Sequence, residues 1–221
     1  MTYVILKKKG GTGMRRVSDD ARLCRHLEET GLAELAADYP AALYYCPAGR
    51  DIARQGEPLT SLYVFLEGRA KVVRLMENGR TMLHDFYQEV ALLGDLDLCR
   101  GDLTARTTVR AVTDAWLIGF SLEGRREKML GDARFLRLMC RELAGKLERS
   151  SESAAQNLLY PLADRLMAYM AKAQSGGVFS ENLTATAEIL GVSYRHLLRT
   201  LRDFEQEGRI RRVRGGYALP E

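Results

Sequence analysis

Residues 183–219, LTATAEILGVSYRHLLRTLRDFEQEGRIRRVRGGYAL, read as two short helices joined by a tight turn and followed by a basic hairpin. Ala187 is small where two helices must cross closely, and Gly191 stands where the turn between them needs a positive φ. Ser193 is placed to cap the second helix, its hydroxyl taking a free backbone N–H. Behind it Leu197, Leu198, Leu201 and Phe204 recur at helical spacing and give one apolar face. Arg195, Arg199 and Arg202 recur on another face, with Tyr194 and His196 in the same first turn. One side of this helix can pack while Ser193, Tyr194, Arg195, His196, Arg199 and Arg202 meet phosphates and base edges.

Gly208 marks the end of that helix. RIRRVRGGYAL, 209–219, then predicts two short strands around Gly215-Gly216. Arg209, Arg211, Arg212 and Arg214 crowd the first arm, and Arg211, Arg212 and Arg214 are candidate phosphate contacts. From Tyr194 to Arg214 seven arginines face only Asp203, Glu205 and Glu207. A small helical domain with a solvated basic face is the plainer alternative. The turn glycine, the cap, the apolar register and the wing together favour double-stranded DNA.

The 221 residues suffice for one large or two modest domains. Net charge is only +4, so the basic residues act locally, as in a site-specific binder. No apolar run approaches the ~20 residues a transmembrane helix needs. MTYVIL is short and its lysines follow it, which does not suit a secretory signal. A cytoplasmic protein without a membrane partner is expected. Cys24, Cys46, Cys99 and Cys140 are widely spaced without a CxxC, which predicts reduced, mostly structural thiols. An iron–sulfur or other metal site built from them has no support in ligand spacing. His26, His84 and His196 are isolated, and HExxH, Walker and GxSxG motifs are lacking, so neither a metal centre nor an enzyme is indicated.

The opening MTYVILKKKGGTG precedes Met14 and a helix expected over Asp19 to Ala37. Codons for Gly10-Gly11 can spell a bacterial ribosome-binding sequence just ahead of the Met14 codon. Translation is therefore expected to begin at Met14, with residues 1–13 outside the native chain. A disordered basic tail is the other reading.

Between residues 41 and 120 the chain reads as many short strands. LYYC, SLYVFLEG, RAKVVRLM, RTMLHDFY, TTVRAVT and AWLIGF are rich in β-branched and aromatic residues. Gly49, Gly56, Gly68 and Gly79 punctuate them, and Glu77-Asn78-Gly79 is a hairpin turn. Such spacing predicts a closed barrel or a jelly roll, large enough to hold one small ligand.

Tyr45-Cys46-Pro47-Ala48-Gly49, then Ile52, Gly56, Leu62-Tyr63, Gly68 and Val72, resemble the cyclic-nucleotide-binding-type barrel of the CRP/FNR transcription regulators. The resemblance runs roughly from residue 41 to the end, and GVSYRHLLRTL, 191–201, is most similar to the YeiL branch. It implies an α+β chain with an N-terminal β jelly-roll barrel, a long dimerisation helix and a C-terminal winged helix-turn-helix. It also implies DNA and a second copy of the chain as partners, RNA polymerase as a further one, and a signal received at the barrel.

Departures from the family pattern bear on that signal. Cyclic-AMP-binding members carry Gly-Glu, for the ribose hydroxyls, and further on Arg followed by Ser or Thr, for the cyclic phosphate. This chain has Gly94-Asp95 and Ala105-Arg106-Thr107. Aligned without gaps, Ala105 takes the arginine's place; a one-residue slip restores Arg106-Thr107 and moves each side chain to the other face. The candidate effector pocket is thus Gly94, Asp95, Arg106 and Thr107, and its ligand is unidentified, with cyclic AMP disfavoured. An inward Arg106 would need an anion; an outward one would meet water. Oxygen-sensing members carry a cysteine cluster near the start, where this chain has only Cys24. A haem would rest on His84 alone, so neither group is indicated. In the recognition helix the family's Arg-Glu and following Arg correspond to Tyr194, Arg195 and Arg199. Arg199 keeps its type and suits guanine O6 and N7. Arg195 replaces an acid, which predicts a different half-site; it reads a second guanine or holds a phosphate.

Asp132 to Leu159 predicts one long helix. Leu136, Cys140, Leu143, Leu147, Ala154 and Leu158 form a narrow stripe close to a 3.5-residue repeat, interrupted at Ser151. A helix packed on its own barrel is the alternative to a seam between two subunits. Paired recognition helices about 34 Å apart favour the dimer. Pro161 suits the first turn of the next helix, and Ser175-Gly176-Gly177 reads as a flexible link. The expected divisions are 1–13, an extension; 14–120, the effector-sensing barrel; 121–160, the connecting and dimerisation helix; and 161–221, the DNA-binding domain. A homodimeric regulator controlled allosterically through its barrel is the leading expectation. A regulatory module acting on protein partners is the alternative, which the arginine-rich wing disfavours.

Overall fold

Alternating apolar residues build the first half of the protein, described in a computed structural model that covers residues 13–79 and 81–219. In order come β1 (Arg15–Val17), α1 (Asp20–Glu29), α2 (Ala33–Asp38), β2 (Ala41–Cys46), β3 (Asp51–Ala53), β4 (Ser61–Glu67), β5 (Ala70–Leu75), β6 (Thr81–Tyr87), β7 (Ala91–Leu93), α3 (Asp95–Arg100), β8 (Thr108–Ala111), β9 (Ala115–Ser121) and α4 (Arg126–Gly131). They form a five-stranded sheet, β1-β2-β9-β4-β7, and a four-stranded sheet, β3-β8-β5-β6. The strands thus make the two-sheet jelly roll; no single closed ladder forms among the described residues. Gly49, Gly56, Gly68 and Gly79 all fall in the turns expected of them.

Side chains from both sheets fill the space between them, with Cys46, Ile52, Phe65, Val109 and Leu117 nearly inaccessible. The outer face of the larger sheet meets helices. There Tyr39, Leu62, Phe120, Phe135 and Met139 form a second core, in which the Phe135 ring lies edge-on to Tyr39 and Phe120. The helix expected over Asp19 to Ala37 is two helices, because the chain turns between Thr30 and Leu32 and drops Leu32 and Leu35 into this core. Asp19 caps α1, accepting from the Arg22 N–H at 3.0 Å. Of the proposed N-terminal extension, residues 1–12 lie outside the described residues. The Gly13 N–H donates to the Asp51 carbonyl.

Asp51 and Arg110 are cross-strand partners on β3 and β8. The buried Asp51 carboxylate accepts from Arg110 Nε at 2.7 Å and from Arg54 Nη2 at 3.0 Å. Burial pushes its carboxyl up, but the two guanidiniums more than offset this and hold it below its ordinary value of 3.8. A depressed carboxyl stabilises the fold above its unfolded pKa, and that share fades as pH falls through the folded one. Asp51→Asn is therefore expected to cost about 1–3 kcal/mol at neutral pH. Urea melts of variant and wild type should draw together as pH falls below 3.8; a gap that stays constant through the acid range would refute the assignment.

The second half opens with α5 (Ala133–Leu159), followed by α6 (Leu162–Ala173), β10 (Val178–Phe179), α7 (Leu183–Ile189), α8 (Tyr194–Gln206), β11 (Arg211–Val213) and β12 (Gly216–Ala218). Asp132 starts α5, its carboxylate accepting from the Arg134 N–H at 2.9 Å. Pro161 is the cap of α6 rather than its first helical residue. The Ser175-Gly176-Gly177 segment is a tight turn and not a loose link: Ser175 bridges Val178, and the Gly177 N–H donates to Gln174 Oε1 at 2.7 Å. It delivers β10, which joins the basic hairpin in a three-stranded sheet, β10-β12-β11. Leu166, Met170, Phe179, Leu197, Leu201, Phe204 and Ile210 pack beneath.

Two compact units result. One holds the described residues up to Val72 together with Tyr87–Arg149; the other holds Val73–Phe86 and the residues from Ser150 on.

Candidate nucleic-acid interface

Helix α7 begins at Asn182, whose side chain accepts from the Thr184 and Ala185 N–H groups. It ends at Gly191, where φ is +67°. Only glycine adopts that value without strain, and the Val192 N–H then closes onto the Ala187 carbonyl at 3.0 Å. Ser193 takes over as the cap of α8, its Oγ accepting from the His196 N–H at 3.2 Å. The capped helix buries Leu197, Thr200, Leu201 and Phe204. Arg165 of α6 reaches across and donates to the Leu190 carbonyl at 3.0 Å, which fixes the corner between the two helices.

The opposite face of α8 is basic and open. Ser193, Arg195, His196, Arg199 and Arg202 line a concavity of about 470 Å³. Tyr194 stands beside them, half exposed. Arg211 and Arg212 lie exposed on β11, and Arg214 is exposed in the turn to β12. None of these six guanidiniums has a carboxylate partner among the described residues. Arg209 differs: it pairs with Glu207 at 3.5 Å and lies over the Phe204 ring, so it belongs to the packing.

The wing turn falls one residue earlier than expected. Val213 pairs with Gly216, leaving Arg214-Gly215 as the loop and Gly216 inside β12. A Cβ at Gly216 would collide with the Phe179 carbonyl of β10. The third strand was missed because two residues, Val178-Phe179, carry no periodicity of their own.

In the sensing half, Gly94 caps α3 and Asp95 is its first residue, almost wholly buried. Lys146 of α5 meets the Asp95 carboxylate at 2.6 Å. Arg106 is half exposed and lies 3.9 Å from Asp97 and 3.6 Å from Asp102. Both expected orientations are thus partly met: Arg106 has acidic neighbours of its own chain, while its buried Nε and Asp97 Oδ1 make no hydrogen bond among the described residues. Burial pushes the Asp97 carboxyl above its ordinary value, only partly opposed by Arg106. Thr107 is half-buried beside it. Lys146, Asp97 and Asp102 escaped the sequence reading; the Arg106–Asp102 spacing of four residues was the one available hint.

Helix α5 presents two faces. Phe135, Leu138 and Met139 pack on the larger sheet. Leu136, Cys140, Leu147 and Leu158 are exposed and Leu143 is half-buried; the Ala154 side chain lies outside the described residues. Of the four cysteines, all free, only Cys46 is buried, and burial pushes its thiol up to about 12. The other three are surface thiols, which corrects the structural reading. His84 is half-buried, and its Nε2 has no hydrogen-bond partner. Among the described residues no group of three or more His, Cys, Asp or Glu is placed to hold a metal ion. No described helix is long and apolar enough to cross a membrane.

Residues 44–130 match the cyclic nucleotide-binding domain family. The chain is 33% identical over 188 residues to the regulatory protein YeiL of Escherichia coli O157:H7, covering 85% of this chain and 84% of that one. In fold it is similar to a Crp/Fnr-family transcriptional regulator from Eubacterium rectale, with a TM-score of 0.71, 18% identity and 88% and 93% of the two chains covered. It is also similar to the c-di-GMP-responsive regulator CLP of Xanthomonas campestris, with a TM-score of 0.65, 17% identity and coverage of 87% and 99%.

Proposed function

The chain belongs to the CRP/FNR family of DNA-binding transcription regulators, and from that premise we propose that it reads a two-fold symmetric DNA site as a homodimer. The observation that carries this reading is the basic face of α8 and the wing. Six guanidiniums without carboxylate partners among the described residues lie on the wing and on a helix whose other side packs into the core. The stripe of exposed Leu136, Cys140 and Leu147 with half-buried Leu143 supports the dimer, since paired half-sites need two recognition helices. A signal at the sensing half reaches DNA by repositioning α5 and with it the two α8 helices. Cyclic AMP is disfavoured as that signal, because Asp97 and Asp102 already pair Arg106. Action in the cytoplasm and contact with RNA polymerase belong to the same proposal.

Arg199 reads a base and the wing arginines hold phosphates. Arg199→Ala is expected to cost about 1–3 kcal/mol on the specific site and to relax discrimination at one base pair. Arg211→Ala or Arg212→Ala should instead weaken all sequences alike and reduce the salt slope by about one. Fluorescence anisotropy on a labelled duplex from upstream of the protein's own gene, titrated with salt and random competitor, tests both. An unchanged base preference in Arg199→Ala would remove it from the reading set. Binding indifferent to salt would favour a protein partner over DNA.

A further inference from the structure

Strand β7 is an edge of the five-stranded sheet, paired with β4 on one side only. Its outward backbone groups need partners if a helix covers them. At Leu92 those partners come from α5. The Leu92 N–H donates to Glu142 Oε2 at 3.2 Å, and the Leu92 carbonyl accepts from Lys146 Nζ at 2.6 Å. Glu142 and Lys146 are one helical turn apart, so a single face of α5 holds both groups of one residue. The same ammonium lies 2.6 Å from Asp95 Oδ1, and the Asp95 side chain is only 2% exposed. A carboxylate so withdrawn from water needs a cation, and Lys146 is its ion-pair partner among the described residues. The Tyr87 ring, 5.9 Å away, closes one side.

We infer that Lys146, assisted by Glu142, is a positioning residue that locks the rotation of α5 on the corner formed by β7 and α3. The clamp residues 142 and 146 each precede a stripe residue, Leu143 and Leu147. Turning α5 about its axis would break both bonds to Leu92 and swing that stripe away from a second copy. The corner is therefore a mechanical connection between the sheet and the seam, held by the chain's own ammonium. This rests on the dimeric DNA-binding reading above.

Lys146→Ala in the full chain tests it. The substitution removes the atoms from Cγ to Nζ, which n-propylammonium replaces. Lys146→Ala is expected to lose about tenfold or more in affinity for the upstream duplex. Added n-propylammonium should restore it, whereas tetramethylammonium at equal ionic strength should not. Lys146→Met, which fills the space without the charge, should be folded by circular dichroism, bind as weakly, and gain nothing from the amine. Full binding by either variant, or a folded Lys146→Ala that n-propylammonium does not rescue, overturns the clamp. Should the wild type itself not bind the duplex, the DNA reading fails; the clamp is then judged by whether n-propylammonium restores dimerisation of Lys146→Ala in sedimentation.

Discussion

A chain carrying Leu136→Asp and Leu147→Asp together is expected to stay folded, to sediment as a monomer and to lose high-affinity DNA binding. Leu136 is 39% and Leu147 69% exposed, and neither takes part in the cores of the protomer. Charging them costs the isolated chain little. In a seam each leucine contributes roughly 1.5–3 kcal/mol. Two positions in each of two subunits bring the loss to roughly 6–12 kcal/mol, before the repulsion between facing aspartates. Since each 1.4 kcal/mol is about tenfold, the dimer should vanish at any working concentration. A monomer then holds one half-site, and affinity for the full site should fall by about three orders of magnitude or more. Sedimentation velocity and anisotropy on the same sample measure the two effects. A double variant that remains dimeric would show that α5 is not the seam.

The recognition region was legible because everything that specifies it is local. The Ser193 cap, the Gly191 turn and the Leu197, Leu201, Phe204 register are neighbours in sequence, and each appears where expected. Among the described residues, six of the nine strands in the sensing half were legible for the same reason. The three that were not, Arg15–Val17, Asp51–Ala53 and Ala91–Leu93, are too short to show a period. Their extended form comes from partners, as when Arg15, Arg16 and Val17 line up against Tyr45, Tyr44 and Leu43. Long-range charge was illegible too. Asp95 and Lys146 are 51 residues apart, and nothing in either neighbourhood announces the other. The stripe on α5 was visible, but the adjacent stripe of Phe135 and Met139 was not separated from it, because both are apolar and lie one residue apart. Packing alone decides which stripe the protomer keeps for itself.

That division of labour sets the second large effect, in the core that seats the recognition helix. Phe204 is 1% exposed among Leu166, Met170, Leu197, Leu201 and Ile210, with the Arg209 guanidinium 4.3 Å above its ring. Its carbonyl accepts from the Arg209 N–H at 2.9 Å as the chain leaves α8 for the wing. The side chain thus holds the helix down and the turn that follows it. Phe204→Ala leaves a cavity that the surrounding leucines cannot fill without moving, and is expected to cost about 3–5 kcal/mol. The core around Phe65 and Leu117 is a separate set of buried residues, to which β4 and β9 belong; of the sensing-half strands, β6 packs Leu83 and Phe86 against the Phe204 core. Hydrogen exchange should therefore quicken across 162–219 while the amides of β4 and β9 keep their protection. Specific DNA binding should fall, because a loosened α8 must pay for its ordering before Arg195, Arg199 and Arg202 can engage together. Equal loss of protection in both halves would mean that the two units unfold as one, and that a basic face on α8 cannot be weakened without the sensor.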